Sequence, residues 1–164
     1  MMRIWRIAAD TREYTADDLS GKGAEKTGGR WNREGSPVVY SSSSVALACL
    51  ETVVHLALPD FPLNRFLVAI DVPDKVWAAR EEWPPQALPV GWSAIPEGKV
   101  SVEAGDKWLS GPGSALLLVP SVIVPEEFNV LVNPRHPDAG KLEATKLRPW
   151  FFDQRLGARP SASL

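Results

Sequence analysis

The spacing of apolar and polar residues predicts short strands combined with few helices. Apolar and polar positions alternate from Ile4 to Ala8, which indicates a first strand. The run Phe66 to Val72 is almost wholly apolar and predicts a central strand. The segment Val45 to Leu58 is apolar nearly all round, so we expect a helix that is capped by the preceding serines, buried on most sides and stopped by Pro59.

The other elements are shorter, and no regular strand–helix–strand alternation links them. This argues against a doubly wound dinucleotide-binding fold and favours a single α+β domain with mixed, mostly antiparallel sheets and a few helices. Residues 10–35 are expected to form a long functional loop, and residues 83–99 an irregular surface segment. Short helices are predicted at Gly105–Leu109 and Lys141–Leu147. Further strands are predicted at Pro37–Tyr40, around Val76–Trp77, and at Ser114–Val119, Val122–Val124, Asn129–Val132 and Trp150–Phe152.

The composition limits the classes of protein that this chain can belong to. Its 164 residues suit one domain, which we place at residues 1–157, followed by a small, polar and flexible tail at residues 158–164. A net charge of -2 and the absence of Lys or Arg runs argue against direct nucleic-acid binding. No apolar stretch approaches the roughly 20 residues that a membrane-spanning helix needs.

The cysteine content and the N-terminus predict a cytoplasmic protein. Cys49 is the only cysteine, so an internal disulfide cannot form, which suits a reducing compartment. The N-terminus lacks the long apolar region of a secretory signal. Cys49, His55 and His136 do not have the paired spacing of a metal site, so we expect no bound metal.

Glu51 is the most unusual residue of the predicted helix. It is the only formal charge between Tyr40 and Asp60, and it shares a helical face with Leu47, Val54 and Leu58. A carboxylate in an apolar stripe is costly unless it is paired or opens into a cleft. Two interpretations stay open at this point: a buried salt bridge to an arginine, or a functional carboxylate.

Two further residues can share such a cleft. Arg30 follows Gly28 and Gly29, which allow close backbone approach to a ligand, and its guanidinium can grip a phosphate or a carboxylate. Tyr40 ends a strand and leads into the helix of Glu51, where its ring can stack on a ligand. The alternatives are a surface arginine and a tyrosine that only packs in the core.

Two polar residues near strand ends are weaker candidates. Ser121 lies in a strand break and can contact a ligand, although no G-x-S-x-G setting supports it as a nucleophile. Asn133, which precedes Pro134, can support a pocket or can serve as a turn residue.

The order and setting of these residues resemble the RES domain, a family named for its Arg, Glu and Ser. The resemblance spans nearly the whole chain. The segments that carry it are Trp5-Arg6, Gly28-Gly29-Arg30-Trp31-Asn32, Tyr40 with the following serines, Leu50-Glu51, Pro120-Ser121, Pro125, Asn129, Asn133-Pro134 and Phe152-Asp153-Gln154-Arg155-Leu156.

The resemblance implies a fold like that of the ADP-ribosyltransferases and a toxin that degrades cellular NAD. NAD would be the substrate, with no resident cofactor, and a partner antitoxin of the Xre helix-turn-helix type would bind and silence the toxin in a hetero-oligomer. Three residues would be catalytic: Arg30, Tyr40 and Glu51. The residues that would contact NAD or support its pocket are Arg6, Arg30, Tyr40, Ser121 and Asn133.

Three hypotheses follow from this comparison. The first is a toxin that cleaves the nicotinamide–ribose bond and depletes NAD. The second keeps the cleft but transfers ADP-ribose to a protein, since the sequence does not choose between water, phosphate and a side chain as acceptor. The third is a non-enzymatic interaction module that uses Trp83 and Trp92 of the proline-rich segment as its contact surface.

Overall fold

The computed structural model describes residues 1–56 and 61–157. Their strands form one seven-stranded sheet in the order β4-β5-β6-β2-β1-β3-β7, and only β4 and β5 pair in parallel. The α+β class with mostly antiparallel pairing is confirmed. The elements are β1 Met2–Ala9, α1 Lys22–Thr27, β2 Val39–Ser42, α2 Val45–Val53, β3 Arg65–Val72, α3 Asp74–Ala78, β4 Glu81–Glu82, α4 Lys99–Ser110, β5 Leu116–Pro120, β6 Phe128–Val132 and β7 Glu143–Pro149.

The sheet consists of two halves joined by a very short seam. Strand β1 pairs with β3 through eight residue pairs, and β2 pairs with β6 through four. Between β1 and β2, by contrast, the register contains a single pair, Trp5 opposite Ser42.

Strand alternation assigns the side chains near the seam to opposite faces. Trp5 and Ser42 are directly opposite and lie on one face, and so do Ile7 and Tyr40, two residues away along their strands. Helix α2 covers Ile7 on this face, and α4 covers the part that includes Tyr40. The seam thus lies between two helices, and burial of the apolar side chains beneath them contributes roughly 1.5–3 kcal/mol each.

Several predicted elements are wrong, for identifiable reasons. Residues 74–78 form a helix and not a strand; Asp74 places an acidic side chain in the first turn, where the helix dipole favours it. Residues 143–149 form the edge strand β7 and not a helix, because pairing with β3 overrides local propensity. Residues 122–124 form a turn around the Ser121 hydroxyl, and residues 150–152 are irregular.

Helix α2 is shorter and more exposed than predicted. Ser44 caps it as expected, with its side chain accepting the backbone N–H of Leu47. The helix ends at Val53, and the predicted stop at Pro59 lies outside the described residues, as does the predicted tail. Only Leu47 and Ala48 are fully buried, so the expectation of burial on most sides is wrong. Most side chains of α2 are therefore only partly buried. No helix among residues 1–56 and 61–157 is long and apolar enough to cross a membrane.

Candidate active site

Glu51 lies half-buried on α2 and points its carboxylate at the end of β6. Its Oε1 atom accepts hydrogen bonds from the Ser121 hydroxyl at 2.6 Å and from the Asn129 side-chain amide at 2.8 Å. No Lys or Arg among the described residues pairs with it, which excludes the predicted salt-bridge alternative for that part of the chain. Glu51 is therefore held by two neutral hydrogen-bond donors.

The surroundings of Ser121 make its hydroxyl the donor in the hydrogen bond to Glu51. The serine is fully buried, and its Oγ atom accepts the backbone N–H groups of Ile123 at 3.0 Å and Val124 at 3.1 Å. With these two donors in place, the single hydroxyl hydrogen is directed to Glu51. The structure thus places Ser121 beside the candidate carboxylate, while Oε2 of Glu51 makes no hydrogen bond with residues in the described ranges.

Two residues of this network were not predicted as site residues. Asn129 donates to Glu51, and the buried Ser42 hydroxyl donates to Oδ1 of Asn129 at 2.7 Å. Ser42 and Asn129 are directly opposite each other on β2 and β6, which places their side chains on the same face. This pairing depends on the register between β2 and β6, which cannot be derived from the sequence pattern.

Tyr40 joins residues 28–32, which we call the arginine segment, to the sheet. Its hydroxyl donates to Oδ1 of Asn32 at 2.7 Å and accepts the backbone N–H of Trp31 at 3.0 Å. Burial raises the pKa of Tyr40 well above its ordinary value, and the hydrogen bond from Trp31 opposes the rise. The phenol is therefore neutral at physiological pH and acts as a fixed hydrogen-bonding and packing group.

The glycines before Arg30 allow close packing of this segment. A Cβ atom on Gly29 would lie 2.8 Å from the Tyr40 hydroxyl, so Gly29 allows close approach to Tyr40. Gly28 has a φ of 68°, a conformation that favours glycine. The buried Asn32 then donates to the carbonyls of Ala24 and Ser36, each at 2.9 Å. These contacts fix the segment that carries Arg30.

Arg30 itself connects this segment to the proline-rich stretch. Its Nη1 atom donates to the carbonyl of Trp92 at 2.9 Å and to that of Ala94 at 2.8 Å. Trp31 stacks on Trp92, with ring centroids 6.3 Å apart, and meets Trp83 edge-on. Trp83 and Trp92 are therefore half-buried and pack against the segment that carries Arg30.

The structure does not bring Arg6 to this site. Alternation along β1 places Arg6 on the opposite face from Trp5 and Ser42. Its guanidinium lies near the carbonyl of Asp18 at 3.5 Å, and burial lowers its pKa.

Asn133 is also remote from Glu51. It lies four residues beyond Asn129, about 13 Å along the strand direction. Its side chain donates to the carbonyl of Leu109 and accepts the backbone N–H of Arg135, which is a turn contact. Asn133 therefore connects β6 to the end of α4.

A series of contacts connects Glu51 with Tyr40 and Arg30. Glu51 is hydrogen-bonded to Asn129, the partner of Ser42 on β2, and Tyr40 on the same strand is hydrogen-bonded to Trp31, next to Arg30. We take the region near these three residues, between α2 and the arginine segment, as the candidate opening for a substrate. Tyr40 and Ser42 lie on the same face of β2, about 7 Å apart, so the phenol is one step along the strand from the Glu51 network. All three candidate residues are half-buried, and none is sealed in the core. No cluster of three or more His, Cys, Asp or Glu residues suited to a metal ion occurs in the described ranges. The site combines an anionic carboxylate, an aromatic ring and a guanidinium.

Replacing Tyr40 tests the role of its hydroxyl. Tyr40→Phe keeps the ring but leaves the backbone N–H of Trp31 and the buried side-chain Oδ1 of Asn32 without these partners, so we expect a loss of about 1–3 kcal/mol in the free energy of unfolding. Urea denaturation measures it. Tyr14→Phe is a control for removal of a tyrosine hydroxyl outside this network. Equal stabilities of the Tyr40→Phe variant and the parent protein would show that the hydroxyl does not hold the segment.

Comparisons with known proteins place nearly the whole chain in one family. The family model described as "RES domain" matches residues 3–153. The chain is 59% identical over 153 residues to the "Prs ADP-ribosylating toxin" of Sphingobium sp. (strain YBL2), covering 93% of this chain and 95% of that protein. It is 41% identical over 159 residues to "Toxin Res" of Pseudomonas putida, covering 94% and 99%.

A solved structure shows the same fold. The M. tuberculosis MbcT-MbcA toxin-antitoxin complex contains a chain that superposes with a TM-score of 0.61 at 21% sequence identity. The superposition covers 90% of this chain and 85% of that one. The fold expected from the sequence resemblance is confirmed.

Proposed function

The chain belongs to the RES-domain family and is the toxin of a toxin–antitoxin system, and we propose that it cleaves the nicotinamide–ribose bond of NAD with Glu51. The observation that carries this proposal is the way Glu51 is held. Ser121 and Asn129 both bind Oε1, and Oε2 stays free of hydrogen bonds to the described residues. One oxygen thus orients the carboxylate, and the other is available to the substrate.

The chemistry of the bond explains why a carboxylate is needed. When the bond breaks, its electron pair goes to the nicotinamide nitrogen and neutralises the pyridinium, while positive charge develops on the ribose. A carboxylate beside that carbon stabilises the developing charge more than it stabilises bound NAD, which lowers the barrier. The acceptor then attacks the ribose carbon and loses its proton. Glu51 performs the electrostatic step in this scheme.

The other residues bind the substrate. The Tyr40 ring lies two residues along β2 from Ser42, which is linked to Glu51 through Asn129, and packs against nicotinamide in our assignment. Arg30 uses one nitrogen to hold the carbonyls of Trp92 and Ala94, and its other nitrogens bind the pyrophosphate. NAD is the substrate and not a resident cofactor. We assign Arg6 and Asn133 to support of the fold, because neither lies at this opening.

Replacing Arg30 tests the pyrophosphate assignment. We expect Arg30→Ala to raise KM for NAD roughly tenfold or more, because a charge-assisted hydrogen bond to phosphate is lost. Arg33→Ala is the matched control, since Arg33 directly follows the arginine segment, is exposed and pairs with Asp106 on α4. Steady-state kinetics measure both. An Arg30→Ala enzyme with the KM of the control would contradict the assignment.

We propose a protein as the acceptor of the ADP-ribose. The relative that is 59% identical along nearly its whole length carries the name "Prs ADP-ribosylating toxin", which favours a Prs protein as the target. The family resemblance alone had favoured degradation of NAD to free products. The two outcomes share the same bond cleavage and differ only in what attacks the ribose.

Labelled NAD separates these outcomes. The pure chain is incubated with NAD labelled in the adenylate part, with and without a Prs protein, and both released nicotinamide and labelled protein are quantified. Label on the Prs protein together with free nicotinamide supports transfer. Free labelled ADP-ribose as the only product contradicts the protein acceptor, and the absence of nicotinamide release contradicts the proposed cleavage.

An antitoxin completes the proposed system. We propose a DNA-binding partner of the Xre type that forms a hetero-oligomer with this chain in the cytoplasm and blocks the opening near Glu51. The structural relative, a toxin–antitoxin complex, supports the existence of such a partner. A DNA-binding partner also accounts for the lack of basic runs in this chain. A complex in which the opening stays accessible to NAD would contradict the blocking role.

A further inference from the structure

The hydrogen bonds at the seam of the sheet form a chain that ends on Glu51. The Ser42 hydroxyl donates to Oδ1 of Asn129, and Nδ2 of Asn129 donates to Oε1 of Glu51. We propose that Asn129 is a positioning residue for Glu51 and that Ser42 supports it in the orientation that donates to the carboxylate. This inference rests on the proposed NAD cleavage, in which Glu51 is the catalytic residue.

Asn129 needs the hydrogen bond from Ser42 because the oxygen and the nitrogen of its amide group can exchange places. An asparagine fits the same space in two orientations that exchange its oxygen and its nitrogen. In the reversed orientation, the Asn129 oxygen would face Oε1 of Glu51 at about the same 2.8 Å, so two acceptors would repel each other. The Ser42 hydroxyl at 2.7 Å favours the productive orientation by donating to the amide oxygen, which also strengthens the amide as a donor.

The location of Ser42 anchors this series of hydrogen bonds in the sheet. Ser42 is 2% exposed, lies directly opposite Asn129 on one side and forms the single register pair with Trp5 on the other. Asn129 approaches Glu51 from β6, and Ser121 approaches it from the turn after β5. Two donors from different elements therefore converge on Oε1, and Oε2 makes no hydrogen bond with the described residues.

A matched pair of variants at position 42 tests the proposal. Ser42→Thr and Ser42→Val add branched side chains of the same size and similar strand propensity, so they differ only in the hydroxyl. We expect Ser42→Val to lower kcat for nicotinamide release about tenfold with little change in KM, the effect of weakening one charge-assisted hydrogen bond. Ser42→Thr should recover most of that loss. Equal kcat values for the two variants would overturn the proposal.

A second measurement tests the chain of hydrogen bonds without any activity. The NMR signal of the Asn129 side-chain amide is assigned by comparison with Asn129→Leu, in which that signal is missing. We expect Glu51→Gln and Ser42→Val each to shift this signal and Ser42→Thr to leave it near its original position. An unchanged signal in Glu51→Gln and Ser42→Val would overturn the proposal. If the parent protein releases no nicotinamide, the proposed function fails, and the NMR result still decides whether the positioning chain exists.

Discussion

Glu51→Gln is expected to lower kcat for nicotinamide release by roughly 100-fold or more while the fold remains intact. Glutamine keeps an oxygen that can accept the hydrogen bonds from Ser121 and Asn129, so the local network survives. It removes the negative charge, and with it the stabilisation of the developing positive charge on the ribose. The measurement is steady-state nicotinamide release, together with thermal unfolding.

A second carboxylate variant serves as the control for this result. Glu103 is exposed on α4, so Glu103→Gln changes the net charge by the same amount at a position away from the opening. We expect its kcat to match that of the parent protein. If Glu51→Gln retained most of its activity, or lost activity only in proportion to a fall in thermal stability, Glu51 would not be the catalytic carboxylate.

Gly105→Ala is expected to destabilise the protein by about 3 kcal/mol or more, the upper end of the range for overpacking. Helix propensity alone predicts the opposite sign, since alanine in a helix interior is favoured over glycine by about 1 kcal/mol. The contact decides the outcome, because a Cβ atom on Gly105 would overlap the backbone carbonyl of Trp31. Helix α4 and the arginine segment approach each other too closely for any side chain at this position.

Denaturant titration of Gly105→Ala measures this effect, with Gly140→Ala as its control. Gly140 is exposed and has no atom within 4 Å of an added Cβ, so its replacement should change the free energy of unfolding by less than about 0.5 kcal/mol. We also expect Gly105→Ala to raise KM for NAD, because displacement of Trp31 moves its neighbour Arg30. A Gly105→Ala protein as stable as the parent would contradict the close packing.

Local patterns in the sequence predict the central strands but not the outer elements. Alternation at Ile4–Ala8 and the apolar run at Phe66–Val72 correspond to β1 and β3. These strands are predictable because the order of apolar and polar residues reflects which side chains are buried on the sheet. The edge strand β7 is charged and takes its conformation from its pairing with β3. Its residues therefore carry a helix-compatible pattern that tertiary contacts override.

The candidate site likewise combines residues that stand out in the sequence with residues that do not. Glu51 stands out because it is a charge in an apolar helix, and Arg30 because it follows two glycines. Ser42 and Asn129 have no such local anomaly, since their role arises from the register between β2 and β6. Arg6 and Asn133 carry the family pattern, yet the fold places them on another face and at another strand end.

The most direct test of the account is a crystal structure of the Glu51→Gln protein with intact NAD. The account predicts that the nicotinamide ring packs on Tyr40, that the ribose carbon bonded to it lies beside the side chain at position 51, and that the pyrophosphate contacts Arg30. NAD bound at another surface, or bound here with its ribose remote from position 51, would contradict it.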